Sequence, residues 1–139
     1  MKSVKEILTE NNCTFVAVKN NETRTSVLRG VAPIIKLIDE EPEFLNGSCV
    51  ADKIIGKAAA MLLYKYGVKE IYTPLTSDHA IKYLSNKNIK FEYNEKTEYI
   101  INRTKTDMCP MEKSVLYTDD ETEAEQLIRN KIKELAEKQ

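Results

Sequence analysis

Cysteine is scarce in this chain, and its spacing argues against its usual structural uses. The three cysteines, Cys13, Cys49 and Cys109, are odd in number, lie far apart and form no C-x-x-C pair. Neither a disulfide framework nor a four-cysteine zinc site is expected, and no metal or other cofactor is assigned. Histidine is scarcer still, since His79 stands alone. No apolar run approaches the roughly 18 residues of a membrane span. The stretch Met1 to Glu6 lacks the apolar core of a signal peptide. Nor is one sign of charge in excess. With 21 basic and 22 acidic residues the formal net charge is -1, which leaves no electrostatic footprint for nucleic acid or an anionic membrane. Repeats, linkers and low-complexity tracts are missing too. These absences predict a cytoplasmic protein with one domain over residues 1–139, and neither nucleic acid nor membrane as partner.

What is present suits a single buried core, with 42% hydrophobic and 31% charged residues. Ser3 and Glu6 form the capping box of a short helix over residues 3–11, with Val4, Ile7 and Leu8 as its apolar stripe. Cys13 to Val18 is β-branched and aromatic and reads as a strand. After the turn Asn20-Asn21-Glu22, Thr25 to Leu28 reads as a second strand, giving an antiparallel hairpin. Gly30 breaks that pattern. A helix carrying Ile34, Ile35, Leu37 and Ile38 follows, with Pro33 in its first turn and Glu41-Pro42 at its end. A central helix runs from about Ala51 to Tyr66, stopped by Gly67. Val68 to Thr73 is a strand, Ser77 to Lys87 a helix, and Ile89 to Tyr93 a strand. The turn Asn94 to Thr97 then leads into Tyr99-Ile100-Ile101 as a second hairpin. Cys109-Pro110-Met111-Glu112 starts a short helix. Thr118 with Glu121 caps a last helix from about Asp119 to Lys138, striped by Ala124, Leu127, Ile128, Ile132 and Leu135. This order predicts an α/β protein, a three-layer α-β-α arrangement with a mixed central sheet of about five strands.

The chain is organised around Gly47 to Tyr64. Asp52, Lys53 and Lys57 precede seven uncharged residues, the pattern of a core helix charged only in its opening turns. On such a helix Lys53 and Lys57 share one face, with Asp52 and Gly56 one step round. Glycine inside a helix costs about 1 kcal/mol against alanine, which close approach of a ligand or a second backbone would offset. Two lysines at the positive end of the helix dipole are unfavourable until an anion binds there. Cys49 stands just ahead, where a helix N-terminus lowers a thiol pKa. The plainer reading has Cys49 as a small buried hydrophobe, Gly56 at a helix crossing and both lysines in solvent. Cys109 and Glu112 have the spacing of a capping box, with a thiol where serine or threonine would cap better. Chemistry and tight packing both account for that choice. Ser77 or Asp78 is an ordinary N-cap, and His79 beside them reads as a surface residue rather than a ligand or base.

The order of elements resembles the cytidine-deaminase fold, in which a hairpin precedes a central helix opening with His/Cys-Ala-Glu. A strand there leads into a helix opening with Pro-Cys-x-x-Cys. Cys49-Val50-Ala51-Asp52-Lys53 stands where the first motif would be, and Ile71 to Ile81 where the strand and second motif would be. The chain also resembles a small prokaryotic family of unknown function placed in that superfamily. That likeness rests on Ala51 to Ala59 and on Cys109-Pro110-Met111-Glu112. Zinc deaminases take one ligand from the first helix and two cysteines from the second, with a glutamate moving the proton. None of these is matched here, so no zinc ligand and no catalytic glutamate is carried over, and the resemblance implies a zinc-free relative.

The leading functional expectation is a deaminase-like domain that binds a small anionic or nucleotide-like molecule through Asp52, Lys53, Gly56 and Lys57. A second is an enzyme with a Cys109 or Cys49 nucleophile and Glu112 or Asp52 as its acid or base. A third is a non-catalytic interaction module, with a homodimer formed through the helix around Ile34 to Ile38.

Overall fold

The computed structural model describes residues 3–102 and 104–138. The first helix, α1 (Val4–Glu10), is capped as its sequence demands: Ser3 Oγ accepts from the Glu6 amide at 3.2 Å, and Glu6 reaches back to Ser3. The hairpin follows as β1 (Phe15–Lys19) and β2 (Glu22–Ser26). Asn20 and Asn21 both take positive φ, 50° and 69°, the geometry of a two-residue turn whose twist matches the strands. The second strand therefore starts three residues earlier than Thr25 and takes in Glu22, which was expected in the turn. Next comes α2 (Ala32–Glu40), opened by Pro33.

Cys49 does not precede a helix. It begins β3 (Cys49–Asp52), which gives way to β4 (Ile54–Ile55), and only then does α3 (Lys57–Lys65) start, with Gly56 as its N-cap. Both short strands pair in parallel with β5 (Glu70–Ser77) at one common sequence offset, so they are a single strand interrupted at Lys53. That offset sets Lys53 opposite Pro74, which has no amide hydrogen to donate, and none of the three ladders of β5 includes Pro74. The proline explains the interruption. Val50 lies between β1 and β5, and Ile54 and Ile55 pair with β5; that tertiary pairing of β-branched residues outweighs the helical pattern they share with the alanines after them. As a consequence Lys53 and Lys57 do not lie on one helical face.

After α4 (Asp78–Leu84), capped by Ser77, the chain enters β6 (Lys90–Thr97). This strand runs straight through the turn expected at Asn94 to Thr97. The second hairpin does not form, and Ile101 makes only an isolated bridge with Met108. Two helices complete the chain, α5 (Pro110–Ser114) and α6 (Glu121–Glu137). Asp120, not Thr118, caps the last, accepting from the Glu123 amide at 2.8 Å.

The result is a six-strand mixed sheet flanked by helices. Its order is β2-β1-β3-β5, with β4 and β6 on opposite edges of β5; the first three are antiparallel neighbours and the rest parallel. Strand alternation sorts the core. Phe15, Ala17, Val50 and Ile71 face the large core with α2, α3, α4, α5 and α6. Val16, Ala51 and Tyr72 face a smaller one beneath α1. Ile34, Leu37 and Ile38 are buried in the large core. The face of α2 expected to be spare for a homodimer is thus already used inside the chain.

Candidate functional site

The parallel strands β4 and β5 end at one edge of the sheet, where α3 and α4 begin. In open α/β sheets this edge, outside the carboxyl ends of the strands, is where ligands bind. Gly56 and Lys57 stand at the first helix start and Ser77 at the second. Across both lies Glu112 of α5, 1% exposed.

The Glu112 carboxyl group collects donors from three separate elements. Oε1 accepts from the Lys57 amide at 3.0 Å and from the Ser77 hydroxyl. Oε2 accepts from the Ile100 amide at 2.6 Å. Ser77 Oγ in turn accepts from the Ala80 amide at 3.1 Å, capping α4. A buried polar group needs such partners, because an unmade hydrogen bond there costs the full desolvation of the group. Gly56 fits this arrangement: a Cβ there would lie 3.1 Å from Ile100 Cγ1 and 3.3 Å from Glu112 Oε1. The capping box expected between Cys109 and Glu112 does not form. Cys109 is the N-cap of α5 but makes no side-chain cap bond, and the Glu112 side chain is directed to α3 instead.

The Lys57 ammonium belongs to the same construction. It is buried, donates to the Leu116 carbonyl at 3.2 Å and pairs with Asp119 at 3.0 Å. Ile100, Glu112, Leu116 and Asp119 together cover the start of α3. Lys53 lies elsewhere. It lines a surface groove of about 600 Å³ with Leu8, Asn11, Asn12, Ile54 and Leu75, between the end of α1 and β4–β5.

Asp52 ends β3, 5% exposed, beside Phe15 of β1. Its Oδ1 accepts from the Ile54 amide at 3.5 Å; its Oδ2 has no partner among the described residues. Burial pushes its pKa up to about 8, against the lowering effect of the Ile54 and Lys53 amides.

The two cysteines are not brought together. Cys49 pairs with Glu70 at the start of β5, while Cys109 adjoins Glu112, which meets Ser77 at the other end of that strand. The Cys49 thiol is 3.7 Å from Glu70 Oε2, and burial followed by that carboxylate raises its pKa. Cys49 begins β3 and does not precede α3, whose N-terminus was expected to activate it. Among the described residues no group of three or more His, Cys, Asp or Glu side chains is placed to hold a metal ion. The helix openings carry Gly56-Lys57-Ala58 and Ser77-Asp78-His79, which do not supply the three ligands of a deaminase zinc. Local reading missed Ser77, Ile100 and Leu116. Gly56, a residue that needs a close neighbour, was the one signal pointing to them.

The sequence model of a family described as TM1506, a domain of unknown function (DUF1893), matches residues 3–132. A solved structure described as that of a DUF1893 family protein (TM1506) from Thermotoga maritima is 30% identical in sequence, with a TM-score of 0.80. The match covers 94% of this chain and 86% of that one. No curated protein is significantly similar.

Proposed function

The chain belongs to the DUF1893 family, a domain of unknown function, and from that premise we propose that it is a deaminase-like binding module for a small acid. The ligand is a carboxylate or phosphate, nucleotide-like in the fuller reading, and it binds at the N-terminus of α3. The observation that carries this is the Glu112 cradle. Two amides and a hydroxyl from three elements converge on one carboxyl group at the carboxyl edge of the sheet. The Lys57 amide is the donor that a helix N-terminus offers an anion, and the Ser77 hydroxyl and Ile100 amide add to it. In the free protein the chain's own side chain takes the place, and Ile100, Leu116 and Asp119 form the cover. An incoming acid exchanges with Glu112, and the Lys57 ammonium turns to it from Asp119. Asp52 and Lys53, at the break between β3 and β4, stand outside this cradle. Kinship to the deaminases is supported by the hairpin ahead of a parallel strand pair and by two helices starting side by side. The zinc chemistry of that fold is not part of the reading.

Thermal shift of the full chain against nucleosides, nucleotides and sugar phosphates tests this. A phosphorylated or carboxylated compound should raise the Tm of the wild type and lose its effect in Lys57→Ala. Millimolar formate or acetate should restore part of the stability lost in Glu112→Ala, by filling the emptied cradle. Silence in both experiments ends the ligand reading and leaves Glu112 a purely structural group.

A further inference from the structure

The outer edge of β6 is open. The strand pairs β5 on one side and, among the described residues, no strand on the other. It is eight residues long, beyond the usual five or six. It carries no proline, and its offset against β5 is constant, so it has no bulge. An edge of this kind is a template for another strand unless charge or shape blocks it.

We propose that the occupant is a second copy of this chain, with two β6 edges paired antiparallel about a two-fold axis at Asn94. A two-fold axis makes such pairing antiparallel and self-complementary. Opposed residues must lie on the same face of the joined sheet. The contacts of β6 fix its two faces. Glu92 meets Lys5 of α1 at 3.2 Å and Asn94 accepts from the Tyr72 hydroxyl, so even-numbered residues face α1. Phe91, on the other face, packs against the large core. Only registers centred on a residue keep faces matched. Centred on Asn94, the register sets Lys90 opposite Glu98 and Glu92 opposite Lys96, with Phe91 opposite Thr97 and Tyr93 opposite Glu95. Every neighbouring register opposes like charges. Centred on Tyr93 it sets Lys90 against Lys96. Centred on Glu92, Glu95 or Lys96 it sets that residue against itself. Of the registers centred between Glu92 and Lys96, the mixed charges that would protect this edge from foreign strands are self-complementary in one alone. Lys90, Glu92, Tyr93, Asn94, Glu95 and Lys96 are all exposed, so nothing among the described residues covers the edge.

Sedimentation velocity of the full chain, from micromolar to sub-millimolar concentration, provides the test. The expected particle has twice the 15.9 kDa chain mass. Glu92→Lys and Lys96→Glu should each weaken association about tenfold, since each sets like charges opposite at two symmetric positions. The double variant Glu92→Lys/Lys96→Glu should restore it. The restoration is diagnostic, because the pairing of Glu92 with Lys5 inside the chain is not rebuilt by the second change. A wild type monomeric at every concentration, or a double variant no better than the singles, overturns the proposal.

Discussion

Two carboxyl groups are buried in this protein, and their surroundings treat them oppositely. Glu112 is met by three donors from three elements. Asp52 has one long bond from an amide two residues away and an oxygen with no partner among the described residues. Depth does not separate them, at 1% and 5% exposure. The supply of donors does. A carboxyl group that gathers donors from distant parts of the chain ties those parts together. One that gathers none is held as a neutral acid, which is why the Asp52 pKa stands near 8.

The largest effect expected is at Glu112. In Glu112→Ala the Lys57 amide, the Ile100 amide and the Ser77 hydroxyl lose their acceptor together, and a loss of about 4 kcal/mol follows. Urea denaturation measures it. Glu112→Gln keeps one acceptor oxygen and should lose clearly less. An alanine variant within about 1 kcal/mol of the wild type would show that the three bonds contribute little net stability, and the contrast with Asp52 would collapse.

Asp52 is expected to act through pH rather than through lost contacts. Its pKa rises from an ordinary 3.8 to about 8 on folding, so between those values the native state holds a proton that the unfolded chain has released. Its contribution is fully present below the ordinary value and is lost as pH rises toward the folded one. Between pH 5 and pH 7 that loss amounts to about 3 kcal/mol. Asp52→Asn cannot titrate and lacks this slope. Its stability relative to the wild type should therefore improve by about that amount over the same interval, measured by denaturation at each pH. Parallel curves for the two proteins would mean that Asp52 is hydrated or paired, and that the two carboxyl groups are not opposites.

These two groups also mark the limit of what the sequence made legible. Local signals read true where local forces decide. The Ser3–Glu6 capping box, the Asn-Asn turn, Pro33 at the start of α2 and Gly67 (φ 85°) after α3 all stand where residue chemistry puts them. Reading failed where partners far along the chain decide. Val50 to Ile55 merges into a helical pattern with the alanines that follow, and only β1 and β5 make it strand. β6 is an edge exposed on both faces over much of its length, so its polar residues looked like a turn. Glu112 sits at capping-box distance from Cys109, but its partner amide lies 55 residues away. The site moved accordingly. Of the residues singled out, Gly56, Lys57 and Glu112 converge, Asp52 lies at the break between β3 and β4, and Lys53, Cys49 and Cys109 perform other tasks.

Gly56 sharpens the contrast. Its φ of -98° suits any residue, so Gly56→Ala should lose stability only through the new methyl group meeting Ile100 and Glu112. We expect about 1–2 kcal/mol, measured by thermal or urea denaturation. In a Glu112→Ala background the obstruction is partly removed and the loss should shrink, giving a coupling energy of at least about 0.5 kcal/mol in a double-mutant cycle. Additive losses would place the crowding elsewhere.

The smallest effect should come from Asp119, although it is the formal ion-pair partner at this site. Its side chain is 80% exposed while that of Lys57 is 9% exposed. An exposed carboxylate gains little from an ion pair, because water screens the charge and a side chain must be held still. In Asp119→Asn the Lys57 ammonium keeps the Leu116 carbonyl at 3.2 Å, so it is not left without an acceptor. The expected loss is below about 1 kcal/mol and should fade as salt is raised. Glu112→Ala should be insensitive to salt by comparison, since its bonds are shielded from solvent. Measuring both variants at low and high salt separates the two ways of fastening residues 112–119 over α3. If Asp119→Asn proved as damaging as Glu112→Ala, charge at the rim would be holding the cover. Donor supply in the buried cradle would then no longer explain why Glu112 is structural and Asp52 is not.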